Sequence, residues 1–537
     1  MFCRLKFGCT YLIVAALAMV AGYSTRSWAA PYDHVLILSI DGLRESDLAD
    51  PATAAYLPNI KAFENSAIHY SNAHTVVPSD SVPASLSYFT GATPKTTGVY
   101  YEDSYDRSLI VPGGFFGGPK GTLVSLRESM DNNANVLSGG GNSDATSLSP
   151  FNLPQKEVDG SLVRVYPHDY LRVNTVFEVA KAAGMRTGYI EKHPAYEIVG
   201  GPSGTGLDDF YAPESNAKVK LVNGALVDSS KGERITKQVT LSQAYDDLRL
   251  FGLLNQISGH DTRRLVSAPT PAIYGMNFIA LNTAEKDSSG GISLDASGNE
   301  VVSPLMASAL AHVDASFHQI VANVQGFGQG SNTLVILTSH NGNSPRVGAA
   351  VQLPSDYLTT PLTQDGIGLR QVTADDSALI WLYDSSQAAR AAADIAAIDP
   401  NTIDSVLSGA ALLAAGFGDP ATDSRAPDLV VKFKPGILIG SGKLSEHGGF
   451  SEDDTHIALL VGSDGMAADL KGLTIDTGVS QTQIAVTTLL ALGLDPSQLQ
   501  GAVIEGTTAL PTSVPEPMGV VVFAVCGVLM GRGRYCR

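Results

Sequence analysis

Three short stretches place polar side chains where predicted elements end. The first, "VLILSIDGLRESDL" (residues 35–48), runs as unbroken apolar sequence into a single carboxylate, Asp41, on an Asp-Gly turn. Such a run reads as a parallel strand covered on both faces, and the C-terminal end of that kind of strand is where a ligand site opens. Asp41 is equally suited to cap a helix beginning near Arg44, because aspartate is a preferred N-cap and Asp-Gly is common turn chemistry. The second stretch is "VVPSDSVPASLSYFTGATPKTTGV" (76–99), where Pro83 and the residues after it predict a helix from about Val82. Ser81 then lies at the helix N-terminus, where free N–H groups and the dipole suit a phosphate or sulfate, although a simple N-cap fits the same position. The third, "EKHPAY" (191–196), follows another predicted strand and sets Lys192 and His193 at a strand end, where they face either a site or solvent.

These side chains need a scaffold, and the chain supplies a repeating one. "RTGYIE" follows the helix-like "TVFEVAKAAG", "TLVILTS" follows "ALAHVDASFHQIVANV", and "HIALLVG" precedes "QTQIAVTTLLALG". Alternation of this kind predicts βαβ units and an α/β fold with a doubly wound, mostly parallel sheet covered by helices. Gly- and Ser-rich stretches such as 138–147 and "KDSSGGISLDASGNE" read as loops or hairpins, so insertions are expected near 100–170 and 284–302. No repeat of fixed period is present.

"SIDGLR", then "PSDSVP" with "TGATPKTTGV", then "EHGGFSEDDTH" together resemble the alkaline phosphatase superfamily, and within it the type I phosphodiesterase and nucleotide pyrophosphatase branch. The resemblance spans roughly residues 32–510, with its signal in four short blocks. It implies an alkaline-phosphatase-like fold, a metal-ligating role for Asp41 and a nucleophile at Ser81, with Thr90, Gly91 and Pro94 on the residues that follow in the family. It further implies metal ligation by His447 of "EHGGF" and by His340 after "TLVILTS", while His456 is expected only to pack or hydrogen-bond. Two departures stand out. Ser339 and Asn341 replace the Asp and Gly that flank the family's histidine, and Asn277 of "YGMNFIALN" stands where the first metal's Asp belongs, with no His at the right distance. A neutral amide is a weak ligand for a divalent ion, so a complete two-metal site is not expected; Lys192 could supply charge in its place.

The function implied is an exported, metal-dependent hydrolase of phosphoric esters acting on a small-molecule substrate. One or two divalent ions per chain, zinc by expectation, would be held by Asp41, Ser81, His340, His447 and Asn277, with Lys192 and His193 toward substrate. The alternative is a cell-surface protein that keeps the fold and is weakly or non-catalytic because ligands are replaced. A sulfatase is disfavoured, because "SVPAS" puts Ser85 where that branch needs Arg and the interior of the chain has no cysteine.

Length and composition agree with a large folded body. The chain has 537 residues, 44% hydrophobic, and a formal charge of −18, which argues against nucleic acid as a partner. Residues 1–30 carry Arg4, Lys6 and the apolar "YLIVAALAMV", a secretory signal with cleavage expected near Ala30. Cys3 and Cys9 fall in that signal and Cys526 and Cys536 near the other end, so no disulfide staples the body between them. Residues 513–537, with "VPEP", a short apolar segment at 518–530 and three arginines, resemble the PEP-CTERM sorting signal of Gram-negative bacteria. The resemblance implies membrane association through the tail before processing by an exosortase-type partner, and a final place at the cell surface, outer envelope or extracellular matrix.

Overall fold

The computed structural model describes residues 32–141 and 147–513; the predicted signal at 1–30 and the apolar tail segment at 518–530 lie outside them. The central sheet has eight strands, numbered here in chain order: β1 (His34–Ile40), β2 (Ala67–Tyr70), β3 (Gly188–Ile190), β4 (Asp209–Tyr211), β5 (Ile273–Phe278), β6 (Thr333–Thr338), β7 (Leu460–Gly462) and β8 (Thr474–Ile475). Their spatial order is β8-β2-β7-β6-β1-β5-β3-β4. All neighbours pair in parallel except β7, which runs antiparallel to both β6 and β2. The strand expected from "HIALLVG" therefore forms, but reversed, as is common for one strand of an otherwise parallel sheet.

The unbroken apolar sequence of β1 has a direct cause. Val35 and Ile37 point into one core with Val82, Leu86 and Phe89 of helix α1 (Ser81–Thr90). Leu36, Leu38 and Ile40 point into a second core with helices α2 (Val239–Ile257), α3 (Ala280–Lys286) and α4 (Pro304–Gly326). With both faces covered, each Leu or Ile contributes about 1.5–3 kcal/mol, and polar alternation would forfeit half of that. Gly275 in β5 is required by close approach: a Cβ there would lie 1.8 Å from the carbonyl oxygen of Ile37 on β1. Helix α5 (Gln483–Ala491) packs against α1 and completes the first core.

Parallel pairing brings several strand ends to one edge. Ser39 of β1 sits opposite both Asn277 of β5 and Thr338 of β6, while Met276 pairs with Ile190 of β3. The residues just beyond those pairs therefore emerge side by side. Hairpins occupy the insertions: strands Asp103–Ile110, Lys120–Ser125, Gln155–Val158 and Ser161–Arg164 form one sheet, and Ile292–Leu294 pairs with Glu300–Val302. The sequence reading did not separate a further antiparallel sheet of Leu369–Ala374, Ser377–Leu382, Leu429–Phe433 and Ile403–Ser408. Its Leu379 and Trp381 pack on Tyr100 and Tyr101, which ties it to the segment after α1 and sets Asp375 at the rim of the strand ends. Among the described residues no helix is long and apolar enough to cross a membrane.

Candidate active site

Asp41 is fully buried at the end of β1, and the turn after it depends on Gly42, whose φ of +96° only glycine adopts freely. Asp41 does not cap the next helix, because Arg44 is the N-cap of the short helix Glu45–Ala49. Nor is Ser81 an N-cap. Asp80 takes that position, accepting a hydrogen bond from the Val82 amide, and this frees the Ser81 hydroxyl at the first residue of α1.

The two are joined by a side chain from the segment just after β3. Lys192 Nζ lies 2.7 Å from Asp41 Oδ2 and donates to Ser81 Oγ at 2.9 Å. Burial would push the Asp41 carboxyl up, but His340 and then Lys192 outweigh it and hold the group well below the usual carboxylate range. Burial pulls Lys192 down, and Asp41 more than offsets this, so the ammonium stays charged. His340 Nδ1 contacts Asp41 Oδ1 at 2.8 Å, and its other nitrogen meets the Tyr88 hydroxyl at 2.7 Å and the Ser85 hydroxyl at 3.0 Å. Asn277 donates to Asp41 Oδ2 at 3.3 Å and accepts from Arg249 at 2.5 Å; Arg249 in turn pairs with Asp246.

These contacts test the expected metal centre. A divalent ion bridging Asp41 and Ser81 needs the space that the Lys192 ammonium fills, and the position read as the first metal's carboxylate is an amide bonded to a guanidinium, while Asp41 Oδ1 and His340 Nδ1 face each other with no hydrogen-bond partner. With the ammonium in that place, Asp41, Ser81 and Asn277 do not fit a shared metal ion. His447 stands apart. It is buried, its Nδ1 has no hydrogen-bond partner, and burial and the nearby Lys286 hold it well below the ordinary imidazole range, hence neutral.

Ser81, Lys192, His193 and His447 line one polar cavity of about 450 Å³, with Lys286 and Lys443 across from them. Both of those lysines are paired with Glu446, so Lys192 is the cation aimed at the Ser81 hydroxyl. His193 reaches this cavity, but its Nδ1 is held by Glu214 at 2.9 Å. Thr90 and Gly91 end α1: the Thr90 hydroxyl donates to Leu86 O, and Gly91 closes the helix in the left-handed conformation. His456 Nε2 donates to Ser71 O at 2.9 Å and takes no part in the site.

Sequence reasoning missed Ser85, Tyr88 and Arg249. Ser85 and Tyr88 follow Ser81 at helical spacings of i+4 and i+7, which puts all three on one face of α1 and is a readable signal. Arg249 lies on α2, nearly thirty residues before its partner, and nothing local connects them.

The type I phosphodiesterase / nucleotide pyrophosphatase family matches residues 35–116, the segment that carries Asp41 and Ser81. Among solved structures, murine ectonucleotide pyrophosphatase / phosphodiesterase 5 is 14% identical with a TM-score of 0.54, over 86% of this chain and 95% of that one. An inactive form of the murine protein in complex with AMP is similar at a TM-score of 0.53, with 14% identity and the same 86% and 95% coverage. Wild-type alkaline phosphatase PafA is also 14% identical, with a TM-score of 0.59 over 90% of this chain and 99% of that one. No curated protein matches by sequence. The fold is thus alkaline-phosphatase-like, and the family match on its first strands and helices supports that superfamily.

Proposed function

We propose that the chain is a hydrolase of phosphoric esters in which Ser81 is the nucleophile and the Lys192 ammonium supplies the fixed positive charge beside it. The observation that carries this reading is the bridge from Asp41 through Lys192 to the Ser81 hydroxyl, at 2.7 and 2.9 Å, on the wall of a polar cavity. A phosphoryl group in that cavity meets Lys192 and the N-terminus of α1, both of which favour negative charge as it develops. Ser81 Oγ attacks phosphorus, the ester oxygen leaves toward the open side, and a phosphoserine forms that water then hydrolyses. Lys192 holds its proton and so is not the base. The base in this reading is His447, neutral and on the same cavity. No step runs through a metal at Asp41, because Lys192 already neutralises that carboxylate.

The AMP in the inactive murine protein indicates the ligand class, a phosphate ester with a nucleoside as leaving or retained group. The proposed setting is outside the inner membrane of a Gram-negative cell, from the secretory pattern at 1–30 and the sorting-type tail at 513–537. A second reading, a cell-surface protein that binds phosphoryl groups with little or no turnover, is favoured by Asn277, an amide tied to Arg249 at the family's carboxylate position.

One assay separates the two. A chromogenic phosphodiester and a chromogenic phosphomonoester are tested in parallel on wild type and Ser81→Ala, with inorganic phosphate binding measured by calorimetry. The expected result is wild-type turnover that falls at least about 1,000-fold in Ser81→Ala, with circular dichroism and phosphate binding retained. Phosphate binding with no turnover above that of Ser81→Ala would instead establish the second reading.

A further inference from the structure

Behind Lys192 lies a second cluster of metal-competent side chains, drawn from three separate elements. Glu128 comes from the 3-10 turn Glu128–Met130 of the first insertion, His193 from the segment after β3, and Glu214 from the segment after β4. One ligand atom from each lies within 4.8 Å of those of the other two. Glu214 is fully buried and His193 is 8% exposed. The carboxylates are held in place by their neighbours: the Asn216 amide donates to Glu214 Oε1 at 2.6 Å, and the Asn216 side chain donates to Glu128 Oε1 at 2.9 Å.

An independent observation adds to this. Asp131, only 3% exposed, faces the Glu214 carboxyl and lies near His193, and apart from that carboxyl–carboxyl contact neither of its oxygens has a hydrogen-bond partner. Among the described residues no lysine or arginine forms a salt bridge with Glu128, Asp131 or Glu214. Arg127 is turned to Glu102 and Asp103, and Arg234 donates to the Asn216 carbonyl. Three carboxylates, two of them buried, and a buried imidazole thus converge with no lysine or arginine in direct contact; Arg234 and Arg127 act on Glu214 and Glu128 only from a distance, and the desolvation cost of the buried pair is large unless a further charge is supplied.

We propose that Glu128, His193 and Glu214, with Asp131 as a fourth donor, bind one divalent cation of the class that accepts mixed nitrogen and carboxylate oxygen ligands, Zn²⁺ or Mn²⁺. One imidazole with carboxylates suits those ions better than Ca²⁺ or Mg²⁺, which take oxygen ligands almost exclusively. The rival way to relieve the cluster is a proton. Burial, with Glu214 adding to it, pushes Asp131 up to about 9, and burial pushes Glu214 up to about 8, so without a cation the pair holds protons near neutrality. The site includes none of Asp41, Ser81, His340 and His447, and it meets the active-site cavity through His193. Its consequence for Ser81 is positional: a cation on His193 would fix the backbone next to Lys192 and tie the first insertion to the strand ends.

The full chain, stripped with a chelator and dialysed, is titrated with Zn²⁺ and with Mn²⁺ alone, and bound metal is counted by elemental analysis and by competition with a chromophoric chelator. The expected result is one tightly held equivalent that is weakened at least about 100-fold in Glu128→Gln and in His193→Gln and kept in Asp41→Asn and His447→Gln. Glu128 is partly exposed, so its conservative variant keeps the fold, which circular dichroism checks. The proposal is overturned by the absence of a tight equivalent in wild type. It is equally overturned by an equivalent that survives Glu128→Gln or disappears in Asp41→Asn, which would put the ion elsewhere.

Discussion

A carboxylate with no exposure, such as Asp41, is tolerable in a folded chain only while a cation stays beside it, and the nearest formal charge is the Lys192 ammonium at 2.7 Å. Removing that partner leaves the charge buried with only His340 and the weak Asn277 contact. Lys192→Met, close in length, should therefore cost roughly 3–5 kcal/mol of folding free energy and abolish phosphoester hydrolysis, by the usual penalty for breaking a buried pair. Urea denaturation measures the first and the chromogenic assays the second. A stability loss under about 1 kcal/mol would mean that Asp41 is neutralised some other way.

At the scale of elements, the short β2 is clamped by charge as well as by packing. His69 Nε2 lies 2.9 Å from Glu45 on the helix Glu45–Ala49, and its Nδ1 lies 3.2 Å from Glu64 on the helix Pro58–Glu64. Burial pulls His69 down, but the hydrogen bonds it donates to the Glu45 and Glu64 carboxylates more than offset it and hold the imidazole up at about 9. The folded value is above the ordinary one, so the stabilisation is fully present below about pH 6.5 and is lost as pH rises through about 9. Wild type should lose roughly 1–3 kcal/mol between those limits that His69→Gln does not lose, read from urea midpoints at pH 6.5 and 9.5. Parallel pH curves for the two proteins would rule the clamp out. Helix α1 works by geometry instead: one face carries Ser81, Ser85 and Tyr88, so a single rigid element presents the nucleophile and fixes His340.

For the molecule as a whole, the packed body closes just inside the two predicted processing signals. The Tyr32 amide donates to Ala491 O at 2.6 Å, and the Tyr70 hydroxyl donates to Pro511 O at 2.9 Å while Leu510 is buried. Both contacts are made by residues that remain when 1–30 and 514–537 are removed. The expected outcome is that protein recovered from the host envelope begins near residue 31, by intact mass. A chain ending at residue 513 is expected to be released in soluble form with the activity of the full chain. Full-length mass in the envelope fraction, with both ends retained, would overturn the export reading.

The apolar runs, their alternation with helical segments, and the placing of Asp41, Ser81, Lys192 and His340 at element ends were legible in the sequence, because strand burial and helix starts are governed by neighbours a few residues away. What those residues do to one another was not. That Lys192 sits between Asp41 and Ser81, that Arg249 holds Asn277, and that Glu128, His193 and Glu214 meet behind the site each depend on strands far apart in the chain being set side by side. The reversal of β7 and the antiparallel sheet at 369–433 are of the same kind. Sheet order and register are decided by long-range packing of the two covered faces, and it is that packing which brings the Lys192 ammonium, a charge the sequence already offered in place of missing metal ligands, into contact with both Asp41 and Ser81.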